Sequence, residues 1–189
     1  MTSPAAGFER LLEALNRLEI PYMVGGSLAS SIHSIPRSTN DVDIIADLPP
    51  RYAGPLVELL QPDFYVDRPD AVEGALRAGR MFNLIHLASG YKFDIYPLPP
   101  DPYSHAAFAR RLVQCYSFGG QTLRFYVSSP EDVILAKLCW YRDGGRVSER
   151  QWSDVLDVSR IQKGLLDLTY LRRWAAALAV TDLLEEALA

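Results

Sequence analysis

Two carboxylates, Asp41 and Asp43, stand two positions apart inside the apolar run Val42, Ile44 and Ile45. Such a run reads as a strand, and its period of two sends both side chains to one face, about 6 to 7 Å apart along the chain. Like charges on one face of a half-buried strand repel each other, so a divalent metal or a nearby Arg is the expected partner. A second element precedes them. Gly25-Gly26-Ser27 follows the short strand Tyr22 to Val24 and opens a predicted helix from Leu28 to Ile35. Paired glycines let the backbone approach a ligand closely, and the first amides of a helix face whatever anion sits at its N-terminus. An anion at the glycines and a metal at the acids together describe a nucleoside triphosphate.

Other phosphate and metal motifs fail on spacing. The chain has no G-x-x-x-x-G-K-[ST] and no G-x-G-x-x-G. An EF-hand loop would need an oxygen ligand and then a Gly where Ile45 and Ala46 follow Asp43.

The elements that must position these residues alternate up to about residue 128. Phe8 to Leu18 is apolar at helical spacing, Val42 to Ala46 is a strand, and a helix is expected from Ala53 to Leu60. A strand at Phe64 to Val66 follows. Phe82 to Leu87 and Tyr91 to Tyr96 then form a hairpin across Ser89-Gly90, and Leu112 to Phe118 and Thr122 to Val127 form another across Gly119-Gly120. After Ser128-Ser129-Pro130 the pattern becomes helical only. Ser129 reads as an N-cap with Pro130 at the first helical position, and helices are expected at Pro130 to Tyr141, Ser148 to Gln162, Asp167 to Ala177 and Asp182 to Leu188. The expected division is therefore residues 1–128 and residues 129–189.

At 189 residues and 49% apolar, the chain can bury a substantial core. No signal peptide or membrane span is visible in the sequence. Cys115 and Cys139 lack metal-ligand spacing and are expected as buried free thiols, which fits a reducing cytoplasm. A net charge of −4 disfavours global binding to nucleic acid. Locally, Arg110, Arg111 and Arg124 lie in a stretch without carboxylates between Asp101 and Glu131, which reads either as a solvated hairpin face or as a polynucleotide contact. His33 and His105 are expected as surface or packing residues, and His86, on a strand with apolar neighbours, as a structural histidine in preference to one lining the cleft.

Gly25-Gly26-Ser27, the run Arg37-x-Thr39-x-Asp41-x-Asp43, and Asp94 in Lys92-Phe93-Asp94-Ile95-Tyr96 resemble the nucleotidyltransferase superfamily of the DNA polymerase β type. Within it the likeness runs to the AbiEii-like toxin nucleotidyltransferases, and it is good over residues 20 to 96. Two later stretches, Pro130 to Lys137 and Arg150 to Asp157, look like that group's lysine-bearing helix and R-x-x-x-D-x-x-D helix, with Ser153 where the group commonly has a lysine.

The resemblance implies an α+β fold, a mixed β-sheet flanked by helices and followed by a C-terminal helical region. It implies that Asp41, Asp43 and Asp94 are catalytic and hold two Mg²⁺ ions, or Mn²⁺. It further implies that Gly25, Gly26, Ser27, Arg37, Thr39 and Lys137 contact the nucleotide. A structural salt bridge for Arg37 and a brace to an arginine for Asp154 and Asp157 stand beside that reading. Two classes of function follow. One is transfer of NMP from an NTP to a hydroxyl of an RNA or tRNA end, a protein or a small molecule, in a toxin with an antitoxin partner. The other is a non-catalytic module that binds a nucleotide or a partner.

Overall fold

The structure is a computed structural model that describes residues 4–39 and 41–189; Asn40, inside the run from Arg37 to Asp43, lies outside the described residues. Its helices are α1 (Pro4–Arg17), α2 (Gly26–His33), α3 (Ala53–Leu60), α4 (Pro69–Arg77), α5 (Pro102–Ala109), α6 (Pro130–Asp143), α7 (Glu149–Ile161), α8 (Leu168–Ala177) and α9 (Thr181–Leu188). The chain forms two compact units. One joins the N-terminal stretch through Val24 to Thr39–Val127, and the other joins Gly25–Ser38 to Ser128–Ala189.

The first unit holds β1 (Tyr22–Val24), β2 (Asp41–Ala46), β3 (Phe64–Val66), β4 (Phe82–His86), β5 (Lys92–Pro97), β6 (Leu112–Phe118) and β7 (Gln121–Val127). They make one mixed sheet in the order β3-β4-β5-β2-β1-β7-β6. β2 runs antiparallel to β1 and parallel to β5, and β7 runs parallel to β1. Along β2 the buried Val42, Ile44 and Ala46 alternate with Asp41, Asp43 and Ile45, so one face carries the core and the other the acids.

The core face is closed by α1. Ala5, Phe8, Leu11, Leu12 and Leu15 recur at helical spacing and are all buried. The Phe8 ring lies 5.9 Å from Phe93, 5.4 Å from Phe118 and 5.0 Å from Phe125, tying β5, β6 and β7 to one helix. Burying a Phe stabilises by about 1.5–3 kcal/mol, so this cluster is a main anchor of the sheet. Beside it Gly7 faces His86, whose ring would lie 2.6 Å from any Cβ added there. His86 in turn bonds the Ser89 hydroxyl at 2.8 Å, a structural histidine.

The second unit contains α2 and the C-terminal helices. Ser129 caps α6 by accepting from the Asp132 amide, with Pro130 in the first turn, and Ser148 and Asp167 cap α7 and α8 in the same way. His33 is buried rather than on the surface, its Nε2 2.7 Å from the Ser128 carbonyl. Burial holds its pKa below the ordinary histidine range.

The structure departs from the sequence reading at two helices and at the cysteines. α4 and α5 have no counterpart in it, because α4 buries only Val72 and Leu76 and α5 only Ala107 and Phe108, too few positions to set a period. The cap signal of α5, Asp101 followed by Pro102, is present all the same. Cys115 is exposed, correcting the buried thiol expected, because it stands opposite the exposed Arg124 on the outward face of the β6–β7 hairpin; Cys139 is half-buried, and both cysteines are free. Among the described residues no helix is long and apolar enough to cross a membrane.

Candidate functional site

The acid face is built by register. In the parallel pairing of β2 and β5, Asp43 stands opposite Asp94 and Asp41 opposite Lys92, so these four side chains share the face away from α1. Asp94 is buried, and Lys92 Nζ lies 2.9 Å from its Oδ2. Its other oxygen, Oδ1, is buried without a hydrogen-bond partner.

The remaining acids are held by hydroxyls. Thr39 Oγ1 donates to Asp41 Oδ1 at 3.0 Å, and Tyr91 fixes Thr39 by donating to its carbonyl at 2.7 Å. Tyr96 is hydrogen-bonded to Asp43. Burial, reinforced by the neighbouring carboxylates, pushes both phenols up to about 12, so each is a fixed donor at neutral pH. The donor set consists of hard oxygens, the kind Mg²⁺ takes, and the orphaned Asp94 Oδ1 suits a cation. Among the described residues, no three His, Cys, Asp or Glu side chains are gathered as a ready metal nest.

The second unit carries a cluster of opposite sign. Asp154 is its centre: Arg37 grips it with Nε at 3.0 Å from Oδ1 and Nη2 at 2.8 Å from Oδ2, and Lys137 Nζ lies 2.8 Å from Oδ2. Lys137 is buried, 3% exposed at its side chain. Burial pushes its pKa down against the pull of Asp154. Burial also works to raise Asp154, but bonds from Arg37 and Lys137 outweigh it and hold the carboxyl below its ordinary range.

Arg37 Nη2 also donates to Ser27 Oγ at 3.0 Å, and Arg150 Nη2 donates to the same oxygen at 3.1 Å. Both acceptor positions of that hydroxyl are filled, which leaves its proton to donate. Gly26 has φ +56, a left-handed conformation that favours glycine, and Gly25 caps α2 without any side-chain bond to the first amides. Backbone amides, one hydroxyl and three cations against a single carboxylate make this an anion-receiving arrangement.

The structure thus sets Asp41, Asp43 and Asp94 on one face of the sheet in the first unit, with Thr39 bonded to Asp41. In the second it links Ser27 to Arg37 and, through Asp154, Arg37 to Lys137, with Gly25 and Gly26 directly before Ser27. Lys92, Tyr91, Tyr96 and Arg150 were not picked out as site residues from the sequence. Lys92 had a signal, a lysine two residues before a strand aspartate, while the contact from Arg150 to Ser27 crosses 123 positions and leaves no local trace. Asp157 pairs with Arg160 at 3.6 Å and stays apart from this cluster.

Known structures share the fold. The chain is similar to ANT(2'')-Ia in complex with adenylyl-2''-tobramycin, at 16% identity and TM-score 0.52 over 91% of this chain and 94% of that one. It is also similar to an antigenic nucleotidyltransferase-like protein from Paracoccidioides brasiliensis, at 16% identity and TM-score 0.51 over 94% of each. No curated protein matches the sequence. The family model described as "Nucleotidyltransferase of unknown function (DUF6036)" matches residues 6–177 and so takes in both clusters. The chain belongs to that nucleotidyltransferase family.

Proposed function

We propose that this protein transfers a nucleoside monophosphate from an NTP to an acceptor hydroxyl with release of pyrophosphate. The observation that carries the reading is the register of β2 and β5, which sets Asp43 opposite Asp94 beside Asp41 on one face. These three carboxylates would hold two divalent ions, Mg²⁺ or Mn²⁺, Asp41 and Asp43 serving both and Asp94 the ion on the acceptor side. When bound, the ions would neutralise the triphosphate and lower the pKa of the acceptor hydroxyl. Thr39 and Tyr96 orient the two β2 carboxylates for that task. Gly25, Gly26 and Ser27 would receive the β- and γ-phosphates, and Arg37 and Lys137 would neutralise them. The acceptor oxygen bonds the α-phosphorus as the bond to the β-phosphate oxygen breaks, and pyrophosphate carries the leaving charge.

The acceptor hydroxyl belongs to an RNA end, a protein or a small molecule. Likeness of residues 20 to 96 to the AbiEii-like toxins supports a tRNA end and a toxin held by an antitoxin protein. The adenylylated tobramycin seen with ANT(2'')-Ia supports a small hydroxylated molecule. The test is incubation with each α-labelled NTP, Mg²⁺, and either total tRNA or a panel of hydroxylated small molecules. Label transfer with stoichiometric pyrophosphate is the expected result. Nucleotide binding with neither label transfer nor pyrophosphate would replace transfer by a binding-only role.

A further inference from the structure

Three carboxylates on one face of a sheet would ordinarily gather the first divalent ion they meet. Here one of them is already engaged. Lys92 lies on β5 two positions before Asp94 and opposite Asp41 in register, so its ammonium could reach either acid from the same face. It sits 2.9 Å from Asp94 Oδ2. Asp94 is enclosed, with a side chain 6% exposed, whereas the Lys92 side chain is 39% exposed and ends near solvent. The second Asp94 oxygen is buried and unpartnered, so the carboxylate keeps a vacant acceptor directed into its own enclosed surroundings. An ammonium and a divalent ion repel strongly at ion-pair distance, so Oδ2 cannot serve both at once.

Building on the nucleotidyl-transfer reading, we propose that Lys92 is a positioning residue that reserves Asp94 in the nucleotide-free protein. Its ammonium stands in for a metal ion there and makes divalent-ion uptake depend on the nucleotide. Arrival of the triphosphate gives the ammonium another anion to follow. A lysine head on a flexible stem, with three rotatable donors, can make that move without any change in the strand. Asp94 then becomes free on both oxygens. The protein consequently does not sequester metal on its own, and the acceptor-side acid becomes available only after the nucleotide has entered.

The experiment is a titration with Mn²⁺ followed by the electron paramagnetic resonance of the free ion, with and without a non-hydrolysable ATP analogue. Without nucleotide, Lys92→Met should bind Mn²⁺ about tenfold or more tightly than the unsubstituted protein, and Lys92→Arg should behave like the latter. The affinity gained on adding the analogue should shrink in Lys92→Met by the same factor. The gain should disappear in Lys92→Met/Asp94→Asn, since it runs through Asp94. A gain that survives Asp94→Asn would be a general charge effect and would overturn the assignment, as would no gain at all. Lys92→Gln, which keeps a donor without the charge, gives the same readout if Lys92→Met folds poorly. Mn²⁺ uptake with the analogue but no gain in either variant overturns only the role of Lys92. No uptake by the unsubstituted protein even with the analogue overturns the nucleotidyl-transfer reading itself.

Discussion

The acid face of the sheet unit and the cation cluster of the helical unit are near mirror images in charge. The first sets three carboxylates and one ammonium on one face, the ammonium paired with Asp94, and in the second Arg37 and Lys137 grip one carboxylate while Arg150 joins Arg37 at Ser27. Their lone counter-ions are held differently. Asp154 is buried and gripped by three bonds from two partners, while Lys92 is partly exposed and pairs with a single oxygen of Asp94. A counter-ion locked by several charge-assisted bonds fixes its neighbours in place, and one held at a single point can leave. The cation cluster is therefore the more firmly fixed of the two, and the acid face the one whose charge balance can change.

Substitutions at three positions would break or sharpen this contrast. The largest expected effect is at Asp43. Asp43→Ala should lower label transfer by roughly a thousandfold or more, the loss expected of a group acting on the transition state. Its circular dichroism and melting temperature should stay at or above those of the parent, because removing one of several like charges relieves repulsion. An unfolded spectrum would make the acid face structural, and the two regions would then be alike.

Next comes Asp154. Asp154→Ala leaves the buried Lys137 charge unpaired and should cost about 3–5 kcal/mol in urea unfolding, toward the lower figure because Arg37 is partly exposed. The acid limb of stability should change as well. The folded carboxyl lies below its ordinary 3.8, so its stabilisation is complete above that value and is lost as pH falls through the lower folded value. Asp154→Asn should remove that part of the acid dependence. Little change in urea midpoint would make the centre of this cluster as loosely held as Lys92.

The smallest effect is expected at Ser27. Ser27→Ala removes one hydroxyl that accepts from Arg37 and Arg150, without touching the grip of Arg37 on Asp154. The KM for NTP should rise about three- to tenfold, with stability altered by no more than about 1 kcal/mol. A change in turnover at constant KM would move the hydroxyl from binding to the chemical step.

Much of the geometry was legible from local pattern. Asp41 and Asp43 alternate with Val42 and Ile44, so their common face follows from the period of a strand. Ser129 with Pro130 marks the start of α6 because capping is a property of neighbouring residues. What stayed hidden depends on partners distant in the chain. The opposition of Asp43 and Asp94 is set by the sheet order, which puts two strands some fifty positions apart side by side. Lys137 stands among apolar neighbours in the sequence, and the partner that meets its buried charge, Asp154, comes from another helix.

The excursion of Gly25–Ser38 out of the sheet unit sets an order for the growing chain. Ser27 and Arg37 leave the ribosome early, but Asp154, which Arg37 grips, is 117 positions later, and Arg150 is 123 positions after Ser27. The partners of Ser27 and Arg37 are thus made only late in the chain. Sheet pairing of β1 through β7 can be complete by Val127. A chain stalled soon after that point would present the acid face without Lys137, Arg150 or Asp154, so the newborn protein acquires the cation cluster only after its sheet.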